Sequence, residues 1–328
     1  MNLQTTNILA CLFHFLCFIT VLILYIVFKS SRKAGKVKLY RNQLSGPTTN
    51  LVPPITPNTL IYCSTGGEKG PNPGQCTVAA PFEQPKKVRT VNVIVYCMIF
   101  FIITSVFHGL YAWDGVLPYL SKYKTGFYST VIQDGWNPYR WLEYSISASL
   151  MSVILGAVQG TGDIVSIIFM GGVTAAMQFS GFCVETVMRN SIVDQLGYIQ
   201  KSVILGATLG GWVLFVILWV CNLYCFITIN SDIKNKFKGI IDPQTKKPIK
   251  TSFFVYFILI TKIIGYATFG FIQLYHIAKN WNATDAFQLI TYEKIENLYL
   301  ILSFLSKFSL AAGVSWGVIF STKNCTYT

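Results

Sequence analysis

Charge is what this chain has least of. Only 12% of its 328 residues are Asp, Glu, Lys or Arg, the acids number 13 against 26 bases, and histidine occurs three times. A composition this poor in charge and 52% hydrophobic belongs to a membrane protein rather than a soluble domain, in keeping with a mean hydropathy of +0.49. The scarcity also removes whole chemistries. The histidines and scattered acids have no metal-ligand spacing, no Ser/His/Asp arrangement stands out, and GAVQGTG at 156–162 is too short and wrongly patterned for a phosphate loop. Intramembrane catalysis needs paired carboxylates, a nucleophile with its base, or a metal cluster, so the chain is not read as an enzyme. The net charge of +13 does not point to nucleic acid, because the basic residues gather where apolar runs end, as contact with lipid headgroups requires.

What is abundant is apolar length. Runs of roughly 20 residues, enough to cross about 30 Å of hydrocarbon as helix, occupy 8–28, 91–113, 137–158, 163–187, 202–229, 251–275 and 296–320. They predict an all-α, seven-transmembrane-helix bundle, a single membrane domain over 1–328. The first run has no basic leading segment and no small-residue cleavage site, and runs straight into Lys29, Arg32 and Lys33; it is read as a retained helix, not a signal peptide. The connection at 29–90 is the longest, holding ten Lys and Arg against Glu68 and Glu83. Its Leu51–Ala80 stretch mixes Pro, Gly and Thr with β-prone pieces such as Leu60-Ile61-Tyr62, which suits a short β-hairpin or a lid over one mouth of the bundle. Cys63 and Cys76 lie in this loop and could close a disulfide if it faces an oxidising compartment. Cys11, Cys17, Cys97, Cys183, Cys221 and Cys225 fall inside apolar runs, where a thiol is commonly a small core residue.

The seventh run is interrupted at mid-depth by one charge, Lys307. An ammonium inside a bilayer is costly unless paired or chemically altered, which makes it a functional-site hypothesis. One resolution is an imine to an aldehyde, stabilised by a carboxylate. The third run supplies that carboxylate. Its RWLEYSISASLM string puts Arg140, Glu143, Ser147 and Met151 on one helix face, so that a charged pair, a hydroxyl and a thioether point together into the bundle. Glu143 lies roughly 9 Å inside a helix starting at Asn137, and Lys307 roughly 16 Å inside one starting near Glu296, both entering from the same side. Asp134 or Asn137 can cap the third helix, and Pro138 suits its first position. Ser303 shares the face of Lys307, and Ser306 and Ser309 flank it.

Other polar residues have a bland reading beside a functional one. His14 in the first run, with Asn7 before it and Cys17 after it, could be a satisfied core imidazole; so could His108, four residues after Thr104 in the second run. Two such histidines begin to outline a site. The fourth run carries Gly171, Gly172, Ala175 and Ala176, which permit close helix approach, then Met177 as a soft cavity liner. Glu185 near its end reads as an interfacial anchor beside Arg189 or as a buried relay carboxylate. Lys262 in the sixth run is the rival lysine, without flanking serines, and could line a hydrated cavity or snorkel. Aromatics at Trp212, Phe215, Trp219, Tyr266, Phe269 and Phe271 read as packing.

Taken together, RWLEYSISASLM (140–151), AAMQFSGFCVE (175–185), the Ser303/Lys307 pair and the two histidines resemble the heliorhodopsins, retinal proteins distantly related to other microbial rhodopsins. The resemblance covers all seven runs but not the first loop. It implies that Lys307 binds all-trans retinal as a protonated Schiff base with Glu143 as counterion, tuned by Ser147 and Ser303, with Met177 against the polyene. His14 and His108, with Arg140 and Glu185, would form an internal proton network. Thr104 and Thr174 stand where the family's serine and asparagine are expected, and Cys17 where a glutamine is common. The implied role is light sensing through a slow conformational change, in a homodimer and with an unidentified signalling partner. Light-driven or light-gated proton transport is the alternative, with Glu185, Asp163, Lys262 and the histidines as relay candidates.

The resemblance also places the N-terminus in the cytoplasm and the first loop and C-terminus outside. Charge counting points the other way. Ten basic residues lie in the first loop alone, whereas the opposite face offers Lys122, Lys124, Arg140, Arg189, Lys201, Lys279 and Lys294. Long loops escape the rule in part, and the Cys63/Cys76 pair suits an external loop, so the expectation follows the family. Two glycosylation sequons, Asn282-Ala-Thr284 and Asn324-Cys-Thr326, fall on opposite sides of the last helix, so occupancy of one decides the orientation.

Overall fold

The computed structural model describes residues 3–27, 36–41, 86–114, 127–133, 135–159, 161, 163–189, 197–236, 253–281 and 288–323. In chain order these form α1 (Leu3–Val27), β1 (Lys36–Arg41), β2 (Lys86–Asn92), α2 (Val93–Asp114), α3 (Phe127–Gln133), α4 (Pro138–Gln159), α5 (Ile164–Arg189), α6 (Tyr198–Lys236), α7 (Phe253–Asn280) and α8 (Gln288–Lys323). All the helices except the seven-residue α3 are long and apolar enough to cross a membrane, α6 over Tyr198–Thr228 and α8 over Tyr292–Gly317. The seven-helix bundle expected from the apolar runs is therefore present.

Local chemistry sets where helices begin. The Asn137 side chain accepts the Arg140 amide at 3.1 Å and Pro138 opens α4, the N-cap and first-turn arrangement those residue types favour. Asp134 lies outside the described residues. Asp163 heads α5 by accepting the Ser166 amide at 2.8 Å and its hydroxyl at 2.7 Å. Asn92 accepts the Ile94 amide at 3.0 Å where β2 gives way to α2.

Each spanning helix packs on its neighbour in sequence, α2 packs on α4 across the short α3, and α8 closes the ring onto α1. The core between them is apolar, built around Cys97, Phe100, Phe101, Ile154, Ile258 and Leu310. Outward faces are equally apolar: Leu12, Phe15 and Leu16 on α1 and Leu209, Val213, Val216 and Val220 on α6 are exposed, as lipid contact demands. A small residue lets α4 and α5 pack closely: a Cβ on Gly181 would stand 2.3 Å from the Trp141 ring. Gly171 also faces α4, its carbonyl taking the Ser149 hydroxyl at 2.9 Å, whereas Gly172 and Ala176 face outward.

Among the described residues of the first loop, two strands are present. β1 and β2 pair antiparallel, Lys36 opposite Asn92 through Arg41 opposite Lys86, with an irregularity between Leu39 and Tyr40. The Leu51–Ala80 stretch, with Cys63 and Cys76, lies outside the described residues.

Candidate functional site

Lys307 meets Glu143 inside the bundle. The Lys307 ammonium donates to Glu143 Oε1 at 2.8 Å and to Ser303 Oγ at 2.8 Å, and both charged side chains are almost wholly buried. The same carboxylate oxygen accepts the Thr104 hydroxyl from α2 at 2.6 Å. Thr104 thus keeps the hydroxyl that a serine would bring. The Tyr144 ring adds its face 5.2 Å from the ammonium. Three helices, α2, α4 and α8, therefore fix one amine and one carboxylate.

Beside the amine opens a small cavity lined by Tyr144, Ser147, Met151, Gln178, Tyr266, Phe269 and Ser306, with Lys307 and Ser303 at its wall. Ser147 is buried there with no hydrogen-bond partner for its hydroxyl among the described residues. Met177 is not part of this lining. It packs against the main core, and Met151 supplies the thioether, because α5 turns Gln178 toward the cavity and one residue of helix is a rotation of about 100°. Thr174 lies below, its hydroxyl 2.7 Å from that of Ser152, which in turn is 3.3 Å from the Tyr266 hydroxyl. An amine at the wall, aromatic and thioether side chains, and a hydroxyl with no partner among the described residues suit the chemistry of an apolar aldehyde.

The histidines form their own pair. His14 and His108 stack with ring centroids 5.5 Å apart, both buried. His14 Nδ1 lies 2.7 Å from the Ala10 carbonyl, so it must carry the hydrogen. His108 Nδ1 lies 3.0 Å from Asn7 Oδ1, whose amide nitrogen already donates to the Leu3 carbonyl and to the Tyr128 hydroxyl, so it too must donate. Each ring is left with a buried Nε2 lone pair that has no partner among the described residues. Burial pushes the Tyr128 phenol up, which keeps it neutral at the end of this chain.

Arg140 and Glu185 lie elsewhere than expected. Arg140 pairs with Glu185 and Glu296, not with Glu143. Sharing a helix face with Glu143 leaves it one turn nearer the helix start, level with the last turns of α5 and the first turns of the α8 span. Glu185 is fully buried, accepting Trp141 Nε1 at 2.8 Å, the Asn137 amide at 3.2 Å and the Tyr292 hydroxyl at 3.3 Å. It is not an interfacial anchor beside Arg189, whose guanidinium sits 4.5 Å from the Trp136 ring centroid. Asn137 Nδ2 donates to Glu296 at 2.7 Å, and the Tyr299 ring lies 4.1 Å from the Arg140 guanidinium. Glu296 was not singled out in the sequence, although it stands eleven residues, three helical turns, before Lys307 and hence on its face.

A seven-helix membrane bundle with a buried amine held by one carboxylate beside an apolar cavity defines the rhodopsin-like class. Residues 72–322 match the model of the heliorhodopsin family, and the chain belongs to that family. No protein with a curated description matches it. The chain is thus an integral, multi-pass membrane protein that binds retinal and responds to light.

Proposed function

We propose that Lys307 carries all-trans retinal and that the protein is a light sensor. The observation that supports this most directly is the 2.8 Å contact between Lys307 and Glu143 at the wall of the cavity. Retinal held there as a protonated Schiff base supplies the absorption of visible light and a photoisomerisation. Glu143 neutralises the charge on the Lys307 nitrogen and fixes its position, while Thr104 holds the carboxylate oxygen against that charge. Ser303 takes a second hydrogen bond from the nitrogen, and the Ser147 hydroxyl faces the same space. Apolar walls exclude water, so a proton leaving the nitrogen goes to an internal acceptor. The two unpartnered Nε2 atoms of His14 and His108 suit that role. Signalling then proceeds by a slow rearrangement of the bundle, passed to a second copy of the chain or to a partner protein, with the N-terminus in the cytoplasm.

Proton transport is the second reading. Its support is the Arg140 cluster, where two buried carboxylates share one guanidinium and so offer one more acid than base for a relay. Whole-cell recording under illumination separates the two. A sensor gives a slow photocycle without sustained current; a sustained, light-dependent proton current would establish transport instead.

A further inference from the structure

The cavity beside Lys307 holds a polar side chain that the site described above does not use. Gln178 of α5 lines it and is 9% exposed, and its carboxamide makes no hydrogen bond to any described residue. The neighbouring polar groups are committed. Tyr144 donates to the Tyr299 carbonyl at 3.1 Å and Tyr266 to the Ala148 carbonyl at 2.9 Å, while Ser303 accepts from Lys307 and Ser306 from Lys262. Ser147 keeps an unpartnered hydroxyl, but it stands on α4 one turn from Glu143, the counter-charge of Lys307.

Gln178 and Lys307 stand on opposite walls. α5 packs on α4 and α6, whereas α8 packs on α7 and α1, so the cavity runs between α4 and α7 from the lysine toward the carboxamide. Depth agrees. Trp141 meets Gly181 and Ser149 bonds the Gly171 carbonyl at 2.9 Å, so the two antiparallel helices bring Gln178 level with the α4 turn carrying Tyr144, Ser147 and Ala148. A carboxamide removed from water without a partner is unfavourable, and a hydrocarbon group filling the cavity would leave it so. It offers an acceptor oxygen and two N–H donors, the complement of a hydroxyl, which both donates and accepts.

We propose that Gln178 is a specificity residue for the distal end of the chromophore, selecting a retinal that bears a hydroxyl on its ring over one whose ring is hydrocarbon throughout. The inference rests on Lys307 carrying the chromophore: with the aldehyde carbon tied to the lysine, the ring is the end left to approach the α5 wall. The carboxamide and the ring hydroxyl then satisfy each other away from water. Unsubstituted retinal still binds, with the carboxamide unpaired. The selection makes and breaks no covalent bond.

The full chain, free of chromophore, is incubated to equilibrium with an equimolar excess of all-trans-retinal and all-trans-3-hydroxyretinal. The bound fraction is released as oximes and separated by chromatography. The unmutated protein should hold the hydroxylated form in about fivefold or greater excess, the worth of one net hydrogen bond, and Gln178→Leu should hold both forms about equally. Gln178→Met replaces that variant if it misfolds, and a visible band with plain retinal shows that either is folded. No preference in the unmutated protein, or an equal preference in the variants, overturns the proposal. Failure of the chromophore assignment shows separately, as a visible band that survives Lys307→Ala.

Discussion

Glu143 Oε1 takes the Lys307 ammonium at 2.8 Å and the Thr104 hydroxyl at 2.6 Å, and this one atom concentrates the consequences at the residue scale. A counter-charge beside the nitrogen stabilises the ground state, in which the positive charge sits there, more than an excited state that spreads it. Glu143→Gln should therefore shift the visible band of the retinal-loaded protein to longer wavelength; an unshifted or blue-shifted band would argue that another group balances the charge. Thr104→Val removes a hydrogen bond to a charged acceptor, about 1.5–3 kcal/mol, and should lower thermal stability, whereas Thr104→Ser should not. A drop of equal size in both variants would mean that the threonine methyl, not its hydroxyl, matters. The Lys307–Glu143 pair was legible in the sequence because charge is so rare inside these helices that a mid-span lysine and a carboxylate at similar depth invite each other. The Arg140 partners were not. Helical spacing tells which residues share a face, and it placed Arg140 with Glu143 correctly, but which neighbour meets them at each level depends on how α5 and α8 are inclined and cut off.

At the scale of elements, the α4–α5–α8 junction is built on one small residue and one charge cluster. Gly181 makes room for the Trp141 ring, and Trp141 in turn donates to Glu185. Gly181→Ala forces the ring or a helix to move and should cost about 1–3 kcal/mol, seen as a lower melting temperature. Gly172→Ala, on an outward face with nothing within 4 Å of the new carbon, should leave it unchanged or raise it; equal behaviour of the two variants would contradict the packing. Arg140→Met strands two buried carboxylates and should cost about 3–5 kcal/mol, with partial recovery when Glu296→Gln is added. No recovery would show that Glu296 does not depend on Arg140. The spanning helices themselves were legible from apolar length. Their ends were less so: α6 and α8 continue beyond the apolar stretch as polar helix, and the strand pair forms from Lys- and Arg-bearing segments whose apolar content is too small to signal a sheet.

For the whole molecule, the unequal charge of the two membrane faces sets the clearest question. With the N-terminus in the cytoplasm, Asn324 is external and Asn282 is not. Expression in a glycosylating cell should give a mobility shift abolished by Asn324→Gln and untouched by Asn282→Gln; the reverse pattern would turn the bundle over and restore the ordinary distribution of positive charge. The exposed apolar faces of α1 and α6 need lipid in either orientation, so orientation changes which compartment the loops meet and not how the helices pack.

The central claim, that Lys307 and not Lys262 holds retinal beside Glu143, is tested most directly by a visible absorption spectrum of the protein after addition of all-trans retinal, recorded beside Lys307→Ala and Lys262→Ala. A band well to the red of free retinal that disappears only in Lys307→Ala is the predicted result. A band that survives Lys307→Ala, or no band in folded, unmutated protein, would contradict it.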